Sequence, residues 1–240
     1  MSAPILEIRN ISKRFGGLQA LDDVSFDVAR GEIVGLIGPN GAGKSTLFNT
    51  LVGLHSPTSG SVRLEGEDIT GLKPHKVAAR GMTKTFQNVA LFAETSVLDN
   101  VLIGALLRSN VAEARKIAEG CLERVGLVGI ANKLAKDLSF PERARVEVAR
   151  SLATQPKVLL LDEVMAALNR VEMQEIMALI RQLRDDGLTV VVVEHHMHAI
   201  MSLCERIIVL NFGRKIAEGS PEDISRNPEV VRAYLGREYA

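Results

Sequence analysis

Hydrophobic residues follow two rhythms along this chain. "ILEIRNISKRFGG" begins by alternating apolar and polar positions, and "VSFDV" does the same. A period of two predicts strands of an antiparallel sheet with one wet face. "GEIVGLIG", "KVLLLDE", "LTVVVVEH" and "RIIVLN" are instead continuous apolar runs. Such runs suit strands buried on both faces, and helical stretches lie between them. The alternation predicts an α/β core around a parallel sheet.

Residues from about 90 to 153 differ. "VLDNVLIGALL", "VAEARKIAEGCLERVG" and "ERARVEVARSLAT" are all helix-like, and no strong strand interrupts them. We read this stretch as a helical subdomain inserted into the sheet protein. The tail, about 219–240, contains "SPEDISRNPEVVRAYLG". Two Ser-Pro or Asn-Pro openings there predict two short helices. No internal repeat or low-complexity linker divides residues 1–240, so one domain with a subdomain is expected.

Composition narrows the classes. The 29 basic and 29 acidic residues balance to a net charge of +0, which gives no basis for bulk nucleic-acid binding. The start, "MSAPILEIRN", lacks the apolar stretch of a signal peptide, and no run approaches the roughly 18 apolar residues of a membrane helix. A soluble chain is expected, with any membrane role supplied by a partner. Cys121 and Cys204 fit free buried thiols in a reducing compartment.

The strongest chemical signal is "GLIGPNGAGKST", which contains G-x-x-x-x-G-K-[ST] from Gly38 to Ser45. It follows an apolar strand and precedes the helix-like "TLFNTLVGL", the setting that the motif needs. Gly38, Gly41 and Gly43 let the backbone curl so that successive N–H groups point inward. Pro39, Asn40, Ala42 and Thr46 complete the cradle, and the following helix adds its positive end. Lys44 would reach the β- and γ-phosphates, and the Ser45 hydroxyl would bind Mg²⁺. "VLLLDE" delivers Asp162 to a strand end, where it can hold Mg²⁺ through water. Glu163 follows, placed to polarise a water attacking the γ-phosphate. A GTPase would carry Asn-Lys-x-Asp; "NKLA" at 132–135 lacks the Asp, which favours adenine.

Taken together, these motifs resemble the nucleotide-binding subunits of ATP-binding-cassette (ABC) transporters. More narrowly, the chain is similar to branched-chain amino-acid import ATPases, through "SKRFGGLQAL", "RGMTKTFQNVALF", "VVEHHM", "KIAEG" and "AYLG". The resemblance implies a P-loop NTPase fold with a RecA-like core, an antiparallel β subdomain and the inserted helical subdomain. It implies ATP and Mg²⁺ as ligands. Phe15 would stack on adenine. Gln87 would sense Mg²⁺ and the attacking water, and couple the helical subdomain to a membrane partner. His195 would contact the γ-phosphate as the switch histidine; His55, His75, His196 and His198 receive no role. Expected partners are transmembrane permease subunits and, indirectly, a solute-binding protein. A second ATPase would complete a head-to-tail dimer, either a related subunit or a second copy. The implied location is cytoplasmic, peripheral on the inner face of the plasma membrane.

Some residues depart from the family pattern. The signature, usually Leu-Ser-Gly-Gly-Gln, reads Leu138-Ser139-Phe140-Pro141-Glu142. Ser139 is retained as the phosphate contact across the dimer. Pro141 removes one backbone donor, yet Ser139 and Glu142 form an S-x-x-E capping box that preserves the helix start. Val164 stands where the family usually has Pro, and Ala167-Leu168-Asn169-Arg170 replaces a loop ending in Asp-Pro or Asn-Pro. The altered signature keeps open a regulatory module that holds ATP without hydrolysis. A non-transport ABC protein is the other alternative, although no tandem cassette, coiled coil or basic extension supports it.

Overall fold

The computed structural model describes residues 3–85 and 91–235. In chain order its first half contains β1 (Leu6–Phe15), β2 (Leu18–Val28), β3 (Ile33–Ile37), α1 (Lys44–Leu51), β4 (Ser59–Leu64), β5 (Glu67–Asp68), α2 (Pro74–Arg80), β6 (Met82–Lys84) and α3 (Val97–Ala105). Then follow α4 (Val111–Arg124), α5 (Phe140–Ala153), β7 (Val158–Asp162), α6 (Arg170–Asp185), β8 (Thr189–Val193), α7 (Met197–Leu203), β9 (Arg206–Asn211), β10 (Arg214–Gly219), α8 (Pro221–Arg226) and α9 (Pro228–Leu235).

The alternating segments pair as an antiparallel hairpin. Leu6 of β1 faces Val28 of β2, and Phe15 faces Leu18. With β4 and β5 they form a four-stranded sheet in the order β2-β1-β4-β5. The continuous apolar runs build a second, six-stranded sheet ordered β10-β9-β3-β8-β7-β6, parallel throughout except at the edge strand β10.

Why those runs do not alternate is visible in the packing. Leu159 and Leu161 of β7, with Val190 and Val192 of β8, face the helical side. Val158 and Leu160, with Val191 and Val193, face the antiparallel sheet and α1. Both faces are covered, so every position is apolar. Several short elements carry no such signal: α2, β4, β5, β6 and β10 are not legible as runs in the sequence.

The stretch read as helical contains α3, α4 and α5, which pack through Val97, Val101, Ala114, Ala118, Val146 and Ala149. One buried polar residue ties its entry loop down. Asn100 is fully buried; its Oδ1 accepts the Phe92 N–H at 2.8 Å, and its amide donates to Thr95 Oγ1 at 2.8 Å and the Ser96 carbonyl at 3.0 Å. The two tail helices open on Ser220 and Asn227, as their sequence predicts.

Replacing Asn100 with Leu takes the acceptor from the Phe92 N–H and removes the bonds that the Asn100 amide donates to Thr95 Oγ1 and the Ser96 carbonyl. The expected cost is about 2–4 kcal/mol. In urea unfolding the midpoint should fall with the slope unchanged; an unshifted midpoint would remove Asn100 from the scaffold.

Candidate active site

The site arises from strand order. β8 lies between β3 and β7, and the register sets Leu36, Val193 and Asp162 in one row across the three strands. The chain leaves each strand at the same edge. The residues just beyond that row are therefore neighbours: the loop before α1, Glu163, and Glu194 with His195. Ligands of open α/β sheets bind at such carboxyl ends.

After β3 the loop turns tightly, with the Ala42 N–H on the Pro39 carbonyl at 3.1 Å. Gly43 caps α1 at φ 104°, and a Cβ there would lie 2.8 Å from the Ala20 carbonyl oxygen. At Gly38 a Cβ would lie 2.2 Å from the Leu210 carbonyl oxygen. Both glycines are thus required by close backbone approach as well as by the curl. The Lys44 ammonium, buried, donates to the carbonyls of Gly38 at 2.7 Å and Pro39 at 3.2 Å. Burial lowers its pKa, while Glu163 and Asp162 pull the other way.

Asn40, Gly41, Ala42, Gly43, Lys44, Ser45 and Thr46 line a cleft of about 670 Å³ together with Glu163 and His195. The antiparallel sheet closes one side through Leu18, Gln19 and Ala20, and the turn Phe212-Gly213 closes another. That volume suits a small-molecule ligand. Glu163 adopts φ 56°, the left-handed region that non-glycine residues rarely occupy, and its N–H donates to the Val193 carbonyl at 2.9 Å. Its Oε1 lies 2.7 Å from His195 Nε2. The Glu163 side chain is 12% exposed and that of His195 is 46% exposed, so the pair has one shielded and one accessible end.

Asp162 is buried, and burial raises its pKa against the pull of Lys84. Lys84 Nζ lies 3.3 Å from its Oδ2 and 2.9 Å from Asn49 Oδ1. The other oxygen, Oδ1, is buried with no hydrogen-bond partner among the described residues. A carboxylate oxygen in that state, with the hydroxyl of the exposed Ser45 in the first turn of α1, fits a hard, oxygen-seeking cation such as Mg²⁺.

The other expected site residues fall elsewhere. Phe15 is not among the cleft-lining residues. It is 41% exposed at the end of β1, edge-on to His55 at 5.2 Å, with Lys13 Nζ 4.9 Å from its ring centre. Its strand partner Leu18 does line the cleft, so Phe15 stands at the rim. Gln87 lies outside the described residues. Ser139 is exposed at the start of α5 and does not line the cleft. There the capping box is present, with the Ser139 N–H on Glu142 Oε2 at 2.7 Å and Pro141 in the first turn. Lys133 pairs with Glu142 at 3.0 Å.

A profile of the ABC transporter family matches residues 21–166. The chain belongs to the ABC transporter ATPases. A second profile, of the branched-chain amino acid ATP-binding cassette transporter, matches residues 214–240 of this cassette. It is 42% identical to the high-affinity branched-chain amino acid transport ATP-binding protein BraF of Pseudomonas aeruginosa, over 98% of the chain and 99% of that protein. To LivG of Escherichia coli, of the same description, it is 41% identical with the same coverage. Among solved structures, the ADP conformation of an ATP-binding cassette of an ABC transporter superposes with a TM-score of 0.90 at 31% identity, covering 98% of this chain and all of that one. The cassette is therefore an ATP-binding ATPase with the expected fold.

Three neighbours of its cleft were not foreseen. Lys84 holds Asp162. Tyr234 of α9 lies by the phosphate loop; burial raises its pKa, and the Gly38 N–H nearby pulls it the other way. Glu194 is buried beside Glu163 and His195; its Oε1 accepts the Met165 N–H at 2.7 Å, and its Oε2 is buried without a partner among the described residues. Each carried a faint signal. Lys84 precedes "TFQN", Tyr234 is one of two tyrosines, and Glu194 ends an apolar run.

Burial, with the nearby Glu163 charge and against the Met165 N–H, pushes the Glu194 carboxyl up to about 7 from an ordinary value of 4.5. Between those values the folded chain keeps a proton that the unfolded chain releases. The stability contributed by this group is present below about pH 4.5 and is lost as pH rises to about 7. Glu194→Gln should therefore gain up to about 3 kcal/mol at pH 8 and almost nothing at about pH 4. Chemical unfolding at the two pH values checks this; an equal shift at both would contradict the burial argument.

Proposed function

We propose that this ATPase powers an importer of branched-chain amino acids or comparable small solutes. The observation that carries the reading is the cleft in which the phosphate loop, Glu163 and His195 meet at one sheet edge. The cargo class rests on the likeness of residues 214–240 to branched-chain amino acid cassettes.

In this reading the N–H groups of the loop and the positive end of α1 hold the nucleotide phosphates, and Lys44 exchanges loop carbonyls for phosphate oxygens. Phe15, at the cleft rim, reaches the adenine. Ser45 and Asp162, with Gln87, would hold Mg²⁺, which neutralises charge on the β- and γ-phosphate oxygens. Glu163 polarises the attacking water, and His195 orients the Glu163 carboxylate and contacts the γ-phosphate.

Two cassettes act head to tail, each presenting its Ser139 to the nucleotide of the other. The N-terminal turn of α5 suits that role: Ser139 and Phe140 are exposed, and Pro141 costs one donor without unseating the capping box. Permease subunits bring the cassette to the cytoplasmic face of the membrane. No described helix is long and apolar enough to cross one.

Glu163→Gln should bind ATP with near-normal affinity and hydrolyse it about 10²–10⁴-fold more slowly. Binding by fluorescent-nucleotide titration and turnover by phosphate release separate the two effects; near-normal turnover would sink the Glu163 assignment. Ser139→Arg should leave ATP binding to the monomer intact and abolish ATP-dependent dimerisation, read by light scattering in the Glu163→Gln background. Dimerisation unaffected by that substitution would reduce residues 138–142 to a helix cap. For the cargo, ATPase activity of the cassette co-purified with its permease should rise with leucine- or valine-loaded solute-binding protein; stimulation by amides or urea alone would move the cargo to another class.

A further inference from the structure

Between β7 and α6 the chain runs through Glu163 to Asn169, and two hydrogen bonds tie the beginning of this loop to the end of β8. The first joins the Glu163 N–H to the Val193 carbonyl at 2.9 Å. The second joins the Met165 N–H to the Glu194 carboxylate at 2.7 Å. Both acceptors belong to the two residues directly before His195, and the His195 N–H also faces the Glu194 carboxylate.

Glu163 sits between these two ties in a left-handed backbone conformation, at φ 56°. For a non-glycine residue that conformation is costly and persists only where the surroundings over-determine it. One tie fixes the near side of Glu163. The other fixes the chain two residues on, where the Met165 side chain is also fully buried. Without the second tie the peptide after Glu163 can rotate toward ordinary backbone angles. Its carboxylate then swings away from His195 Nε2.

We propose that Glu194 is a positioning residue for hydrolysis: its buried carboxylate holds the Met165 N–H and so keeps Glu163 in the conformation that sets its side chain against His195. The proposal rests on the catalytic reading of Glu163 and His195 above. It requires an acceptor of the length of Glu at 194 and gives no role to contact with nucleotide. Glutamine supplies the same acceptor. Methionine has the length and lacks it.

The test is steady-state hydrolysis by the full-length chain, comparing Glu194→Met, Glu194→Gln and Glu163→Gln with the parent. Glu194→Met should lower kcat by about tenfold to a hundredfold, the scale of a misplaced catalytic group, with KM for ATP within about twofold. Glu194→Gln should restore at least about a third of the parental kcat, the criterion set by retention of the acceptor. The ¹⁵N signal of His195 Nε2 should shift in the Met variant and stay in place in the Gln variant. Parental kcat in the Met variant overturns the proposal, as does an equal loss in the Gln variant. A slow Glu163→Gln enzyme beside a normal Glu194→Met enzyme would remove this proposal alone; a normal Glu163→Gln enzyme would remove the reading beneath it. Should the Met variant not fold, amide exchange in the parent decides: the Met165 N–H should be as protected as the β8 amides, and exchange at a loop rate would overturn the tie.

Discussion

β8 hydrogen-bonds to β3 on one side and to β7 on the other, and its register leaves no freedom in what lies beyond the strand ends. The phosphate loop is more than a hundred residues from Glu163 and His195 in the chain. None of these groups needs a long-range contact of its own to find the others. The three strands bring them together, and burial on both sheet faces holds the register. Shifting one strand by a residue would turn each of its side chains to the opposite face and displace its end by about 3.3 Å, enough to take Glu163 or His195 out of the cleft.

The polar row just beyond the strands carries the electrostatic cost. Asp162, Lys84 and Glu194 are all buried or nearly so, and they are compensated in two ways. Lys84 and Asp162 pair. Glu194 accepts a main-chain N–H and shifts its titration toward neutrality. Among the described residues, two buried carboxylate oxygens remain without partners, one on each of Asp162 and Glu194. Orphaned acceptors are expensive in a folding sense, and they concentrate where a cation or a catalytic arrangement makes use of them.

Much of this was legible in the sequence because periodicity and spacing are local. The continuous runs announced a doubly covered sheet, the glycine spacing announced the cradle, and "VLLLDE" announced a carboxylate at a strand end. The family resemblance then placed His195, which spacing alone could not have separated from His196. What escaped depends on contacts between distant segments. β5 and β6 are only two and three residues long, and β4 and β10 are exposed at half of their positions, so none of them forms an apolar run. Glu194 looked like the end of a run, because only the flanking strands show it to be buried. Phe15 was expected at the adenine and stands at the rim of the cleft in this conformation. The Ser139 segment looked like both a cap and a phosphate site. Its cap can be seen within one chain, while a phosphate role would depend on a second.

The central claim is that the loop 38–46 and the ends of β7 and β8 form one nucleotide site. Amide hydrogen exchange of the full-length chain with and without MgATP tests it most directly. The account predicts slowed exchange in two separate segments at once, 41–46 and 163–165, with no comparable change in α2 or β5. Protection confined to the loop, or appearing only at a distant surface, would contradict it.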